Sequence, residues 1–138
     1  MRALLDTNVL LDVLLDRQPF VNDAFIIFEA VEHGQITGLI CATSITNIFY
    51  LSAKATGARK TLSSIKTLLS LFELTPVTRA VFDNAIISGF EDFEDAVLYA
   101  CANLSNADCI ITRNIKDFKK SRLPVYLPKD LIKILVQL

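Results

Sequence analysis

A chain of 138 residues with 52% hydrophobic and 21% charged side chains is long enough to bury one core without disulfides or a structural metal, and too apolar for disorder. Fourteen Lys and Arg against fifteen Asp and Glu leave a formal charge of −1, so bulk charge does not mark a nucleic-acid binder. Cys41, Cys101 and Cys109 are odd in number and far apart, and His33 is the only histidine, which argues against a zinc site or a His-based triad and for buried thiols in a reducing cytosol.

Ala3-Leu4-Leu5 is a short apolar strand, and Asp6-Thr7-Asn8 offers capping oxygens for a helix that begins near Val9 and stops by Gln18-Pro19. Pro19 opens a second helix through Phe20, Ala24, Ile27, Phe28 and Val31, closed at His33-Gly34. Ile36 to Cys41 reads as a buried strand. Thr43 or Ser44 caps a third helix through Ser52, and Gly57 separates it from a fourth carrying Leu62, Ile65, Leu68, Leu69 and Phe72. Glu73 to Val77 is a brief third strand, and Thr78 caps a helix to about Ile87. After Gly89, Asp92 caps a helix whose residues Ala96 to Ala102 are apolar nearly all round, which places it centrally. Asp108 to Thr112 is a buried strand and Val125-Tyr126 a short last one. Pro128 starts an apolar C-terminal helix containing Leu131, Ile132, Ile134, Leu135 and Leu138.

Five strands interleaved with helices predict an α/β fold, a three-layer α/β/α sandwich around a central parallel sheet, formed by residues 1–138 as one domain. Asp6, Asn8 and Asp12 interrupt the N-terminal apolar stretch too early for a signal peptide, and the uncharged run from Gly34 to Ala53 is punctuated like strand, turn and helix rather than a membrane span. A cytoplasmic protein is expected.

The acidic residues carry the functional signal. Asp6 ends the first strand, and a carboxylate at the carboxyl end of a buried strand is placed for ligands, since open α/β sheets bind beyond their strand ends. Asp92 and Asp95, three apart, also fit a helix cap with a dipole-complementing acid; Asp95 can do both, whereas Glu94 is expected to face solvent. Thr112-Arg113-Asn114 leaves the fourth strand as Asp6 leaves the first, and Asp117 follows within a turn. Hydroxyl, amide and carboxylate oxygens are hard donors suited to Mg²⁺ or Mn²⁺. Asp12 is a supporting candidate or a water-facing residue, with water favoured. Seven Lys and Arg between Arg113 and Lys133 offer a local basic rim for phosphates.

The runs Leu4-Leu5-Asp6-Thr7-Asn8-Val9-Leu10-Leu11-Asp12, Thr43 to Leu51, Asp92-Phe93-Glu94-Asp95-Ala96 and Ile111-Thr112-Arg113-Asn114-Ile115-Lys116-Asp117-Phe118 together resemble PIN-domain nucleases in order and spacing. The resemblance implies a Mg²⁺- or Mn²⁺-dependent endoribonuclease acting on RNA, often the toxin of a toxin–antitoxin pair and usually a homodimer. It assigns Asp6 and Asp95 as core metal-binding acids, Asn114 and Asp117 as the last element of the site, Asp92 and Thr112 as supporting groups, and Arg113 or Lys116 as grips on the RNA backbone. Asn8 and Asp12 fall in the first of these runs. Asn47 departs from the pattern: many members carry a Glu near this point of the third helix, and its loss lowers the negative charge available to a metal.

Two rivals follow. An aspartate-based phosphotransfer domain also uses an acid after the first strand, but haloacid-dehalogenase-like enzymes want a second Asp where Asn8 stands, and response-regulator receivers want their Asp after a middle strand, where Thr75-Pro76-Val77-Thr78 stands instead. The stronger rival, motivated by Asn47, is a PIN-like module that binds RNA or protein without cleaving.

Overall fold

The computed structural model describes residues 1–137. The chain runs β1 (Arg2–Leu5), α1 (Thr7–Leu14), α2 (Val21–Glu32), β2 (Thr37–Cys41), α3 (Ala42–Thr56), α4 (Ala58–Leu71), β3 (Glu73–Thr75), α5 (Arg79–Ile87), α6 (Phe93–Leu104), β4 (Cys109–Ile111), a 3-10 turn (Ile115–Phe118), β5 (Val125–Tyr126) and α7 (Pro128–Val136). Every strand pairing is parallel and the sheet order is β3-β2-β1-β4-β5.

Alternation along the strands divides the core into two layers. Ala3, Leu5, Ile40, Cys109 and Ile111 project to one face and pack with residues of α1, α2, α3, α4 and α7. Leu4, Leu39, Cys41 and Ile110 project to the other, against α5 and α6. Residues Ala96 to Ala102 of α6 are all buried, as an apolar circumference requires. Gly38 in β2 is there for space: a Cβ at this position would lie 2.5 Å from the Phe72 ring and 2.9 Å from Val31 Cγ2. All three cysteines are buried free thiols, and the Sγ atoms of Cys41 and Cys101 are 3.1 Å apart.

The helix starts differ from expectation in instructive ways. α1 begins at Thr7, with Asp6 in the N-cap position but making no side-chain cap bond. α2 begins at Val21, two residues after Pro19. α3 begins directly after Cys41, so neither Thr43 nor Ser44 caps it; Ser44 is buried and accepts a 2.9 Å hydrogen bond from Thr7 Oγ1, tying the starts of α1 and α3 together. Thr78 sits at the start of α5 without a side-chain cap bond.

The apolar face of α7 is largely consumed by the chain's own core. Leu131 is fully buried, and Ile132, Ile134 and Leu135 are partly buried and pack against the α1–α4 layer. Leu138 lies outside the described residues. Among those described, no helix is long and apolar enough to cross a membrane.

Candidate metal centre

Because β1 is central and β4 pairs on its far side from β2, the chain reverses its direction of travel across the sheet between β1 and β4. Loops leaving neighbouring strands on either side of such a reversal diverge and leave a crevice. Asp6 leaves β1 there and Thr112 leaves β4. The Asp6 backbone N–H donates to the Ile111 carbonyl at 2.9 Å, and Thr112 Oγ1 donates to Asp6 Oδ2 at 2.7 Å. The Thr112 hydroxyl also accepts the Asn114 N–H at 3.0 Å, so one fully buried side chain fixes both the first acid and the turn that follows β4.

α6 delivers the second group of acids. Asp92 caps it, its carboxylate accepting the Asp95 backbone N–H at 3.0 Å, so the cap expected for Asp92 is present. Asp95 is thereby held in the first helical turn. The 3-10 turn delivers Asp117, with its N–H bonded to the Asn114 carbonyl at 3.0 Å. Asp6, Asn8, Asn47, Asp92, Glu94, Asp95, Asn114 and Asp117 all line one open cleft of about 420 Å³, together with Thr7, Tyr50 and Leu51. Segments that are more than a hundred residues apart in sequence thus converge on one place.

The cleft is electrostatically costly as it stands. Burial pushes the Asp6 carboxyl above the ordinary carboxylate range, against the opposing effect of the Thr112 hydrogen bond. Asp95 is pushed up to about 7, first by burial and then by Asp92, Asp6, Asp117 and Glu94. Like charges that raise one another's proton affinity are relieved by a proton or a cation. Among the described residues no three His, Cys, Asp or Glu side chains form a closed cluster ready to hold a metal. The donor set nevertheless fits a hard cation: carboxylate and amide oxygens facing an open cleft suit an ion that keeps several of its waters.

Three residues stand elsewhere than the sequence indicates. Asp12 does not face water. It is 1% exposed and receives a two-pronged contact from Arg113, Nε to Oδ2 at 2.7 Å and Nη2 to Oδ1 at 3.1 Å, with Arg17 at 3.7 Å. Arg113, expected to grip RNA, is correspondingly committed, and its guanidinium also lies 3.9 Å from the centre of the Phe20 ring; it lines a separate depression with Pro19 and Pro128. Glu94 does not point away from the site but lines the cleft and accepts a 3.0 Å hydrogen bond from Asn47 Nδ2. Lys116 borders an adjoining depression that shares Asp92, Asp95 and Asp117 with the cleft and also contains Lys119 and Lys120. Of the seven basic residues read from the sequence as a rim, Lys116, Lys119 and Lys120 stand there.

Comparison with known proteins agrees with this architecture. The family model described as PIN domain matches residues 2–116. No curated relative matches the sequence. Among solved structures, a toxin–antitoxin complex from Klebsiella pneumoniae is 25% identical, covering 91% of this chain and 97% of that one with a TM-score of 0.69. VapBC2 from Rickettsia felis, bound to a DNA fragment from its promoter, is 18% identical with a TM-score of 0.68, covering 92% and 98%. VapC20 of Mycobacterium tuberculosis, a sarcin-ricin-loop-cleaving toxin, is 11% identical with a TM-score of 0.63, covering 78% and 86%. With the five-stranded parallel sheet, the acids at its switch point and a family match over most of its length, the chain belongs to the PIN-domain family.

Proposed function

We propose that the chain is a Mg²⁺- or Mn²⁺-dependent endoribonuclease that hydrolyses RNA phosphodiester bonds, and that it serves as the toxin of a toxin–antitoxin pair. PIN-domain proteins are generally nucleases. The observation that carries the reading in this chain is the convergence of Asp6, Asp95, Asn114 and Asp117 on one cleft at the sheet's switch point.

Those four residues would hold the ion. When bound, it supplies positive charge for the phosphoryl oxygens and acidifies an attacking water. The chain's own residues do the rest. Thr112 holds the Asp6 carboxylate in one orientation. With no histidine in the cleft, Asp95 is the carboxylate we assign to accept the proton of the attacking water. Lys116, Lys119 and Lys120 hold the RNA phosphates beside the acids. Arg113 steadies Asp12 and the turn that carries Asn114.

The partner we infer is an antitoxin protein, with a second copy of the chain as a further one. Tyr50, 68% exposed, and Leu51 stand at the cleft's edge and give either one apolar surface to cover. Co-purification tests the first, and light scattering showing a monomer at micromolar concentration contradicts the second.

The deciding experiment incubates the protein with single-stranded and structured RNA, with Mn²⁺, with EDTA, and as Asp6→Asn and Asp95→Asn. Cleavage is expected only with metal and intact acids. Metal-dependent cleavage surviving both substitutions removes the site assignment. A protein that binds but cleaves no RNA favours the non-cleaving module, the reading motivated by the amide at position 47.

A further inference from the structure

On α3 an amide, Asn47, lines the acidic cleft, and α6 brings three carboxylates to it, Asp92, Glu94 and Asp95. An exposed glutamate in the first turn of a helix is free to extend into water, away from neighbouring acids. Glu94 does the opposite. It leans into a cleft that already contains Asp92, Asp95, Asp6 and Asp117, and its Oε1 accepts a 3.0 Å hydrogen bond from the Nδ2 of Asn47, 47 residues earlier in the chain. The amide can only attract a carboxylate by donating; an acid at position 47 would repel Glu94 instead.

We propose that Glu94, positioned by the Asn47 amide, supplies from α6 a metal-holding carboxylate beside Asp6, Asp95 and Asp117, in the part of the cleft where position 47 offers an amide. Side chain and helix are exchanged, while the charge stays in the same part of the cleft. The unpartnered Oε2 of Glu94 has no other cation to meet: among the described residues no Lys or Arg pairs with it. The Glu94 carboxylate stands among Asp92, Asp95, Asp6 and Asp117, a like-charge grouping that a bound divalent ion relieves. On this view Asn47 is not a defect in the site but the donor that aims a replacement acid, and the substitution at 47 and the glutamate at 94 belong together. The inference rests on the metal reading above.

The test is a calorimetric titration of Mn²⁺ into metal-free protein, together with the rise in Tm that saturating Mn²⁺ produces. Glu94→Gln keeps an acceptor for Asn47 and removes the charge; it is expected to weaken Mn²⁺ binding about tenfold and to shrink the Mn²⁺-induced rise in Tm, while the metal-free protein melts no lower than the parent. Adding Asn47→Glu to Glu94→Gln returns a carboxylate to the same part of the cleft and is expected to restore the affinity. Glu29→Gln, on the exposed face of α2, serves as the control and binds as the parent does. Parent-like Mn²⁺ affinity in Glu94→Gln, when Asp6→Asn abolishes binding, overturns the role of Glu94 and leaves the metal site standing. Failure of the Asn47→Glu rescue overturns the exchange. If Asp6→Asn also binds Mn²⁺ as the parent does, the metal site itself is misplaced and this inference falls with it.

Discussion

Replacing Thr112 by Val removes one hydroxyl and almost no volume, and its effect can be worked out from contacts already described. Thr112 is fully buried and its hydroxyl makes two bonds, donating to Asp6 Oδ2 at 2.7 Å and accepting the Asn114 N–H at 3.0 Å. A hydrogen bond to a charged group contributes about 1.5–3 kcal/mol, and the part-buried Asn114 N–H adds about 1 kcal/mol, less whatever water recovers. A net loss of about 3 kcal/mol follows, which lowers the Tm of a domain of this size by about 10 °C. The loss must also depend on pH. The Thr112 bond favours the ionised form of Asp6, whose folded carboxyl already titrates above its unfolded value. Its contribution is therefore full at pH well above that folded value and fades as pH falls through it, where the protonated acid no longer needs a donor. Urea unfolding of parent and Thr112→Val in a series from pH 8 down to the acid limit of folding reads both effects. A difference at pH 8 below about 0.5 kcal/mol, or one that does not shrink anywhere along the series, refutes the reasoning that this hydroxyl exists to hold a buried carboxylate.

Asp95 predicts a second pH effect of its own. Its folded proton affinity lies near 7 against 3.8 for the unfolded group, so the folded state binds the proton more tightly and the metal-free protein loses stability as pH rises from about 4 to about 7; thermal melts should show this slope, and Asp95→Asn should flatten it. Arg113→Lys forfeits the two-pronged contact with Asp12 and the stack on Phe20, costing about 1–3 kcal/mol; equilibrium unfolding should report that loss, whereas Lys116→Ala should leave stability unchanged and weaken RNA binding measured by fluorescence anisotropy. Gly38→Ala forces a Cβ against the Phe72 ring and should destabilise the protein by about 1–3 kcal/mol, a result that denaturant titration would contradict by finding the variant as stable as the parent.

The layered fold was legible because each element writes its environment into its period. The unbroken apolar run of β4 and the all-round apolar surface of α6 admit only burial on both sides, and the structure buries both. The acids after β1 and β4 were legible for a related reason, since a strand's carboxyl end is a fixed place in a parallel sheet. What escaped depends on side chains that meet across the fold. Glu94 faces the cleft because Asn47 of a different helix reaches it, and nothing local to Asp92-Phe93-Glu94-Asp95 signals that. Asp12, surrounded by Leu and Val on α1, has a sequence context that fits a water-facing acid and a buried one equally; the Arg that neutralises it comes 101 residues later. Helix capping failed for a simpler cause. Asp6 stands at the N-cap of α1, but its Oδ2 is held by Thr112, and Ser44 lies inside α3, which begins directly after Cys41.

The position of β1 at the middle of the sheet has a consequence for the order in which the molecule assembles. β1 precedes every other described element, yet one of its two edges stays open until β4 arrives, more than a hundred residues later. The bond between Thr112 and Asp6 spans 106 positions, a separation that makes the ordering slow and late. A growing chain halted anywhere before Thr112 holds Asp6 without its donor and lacks Asn114 and Asp117 altogether. The cleft therefore comes into being only as the last strands close, and a partly synthesised chain lacks it.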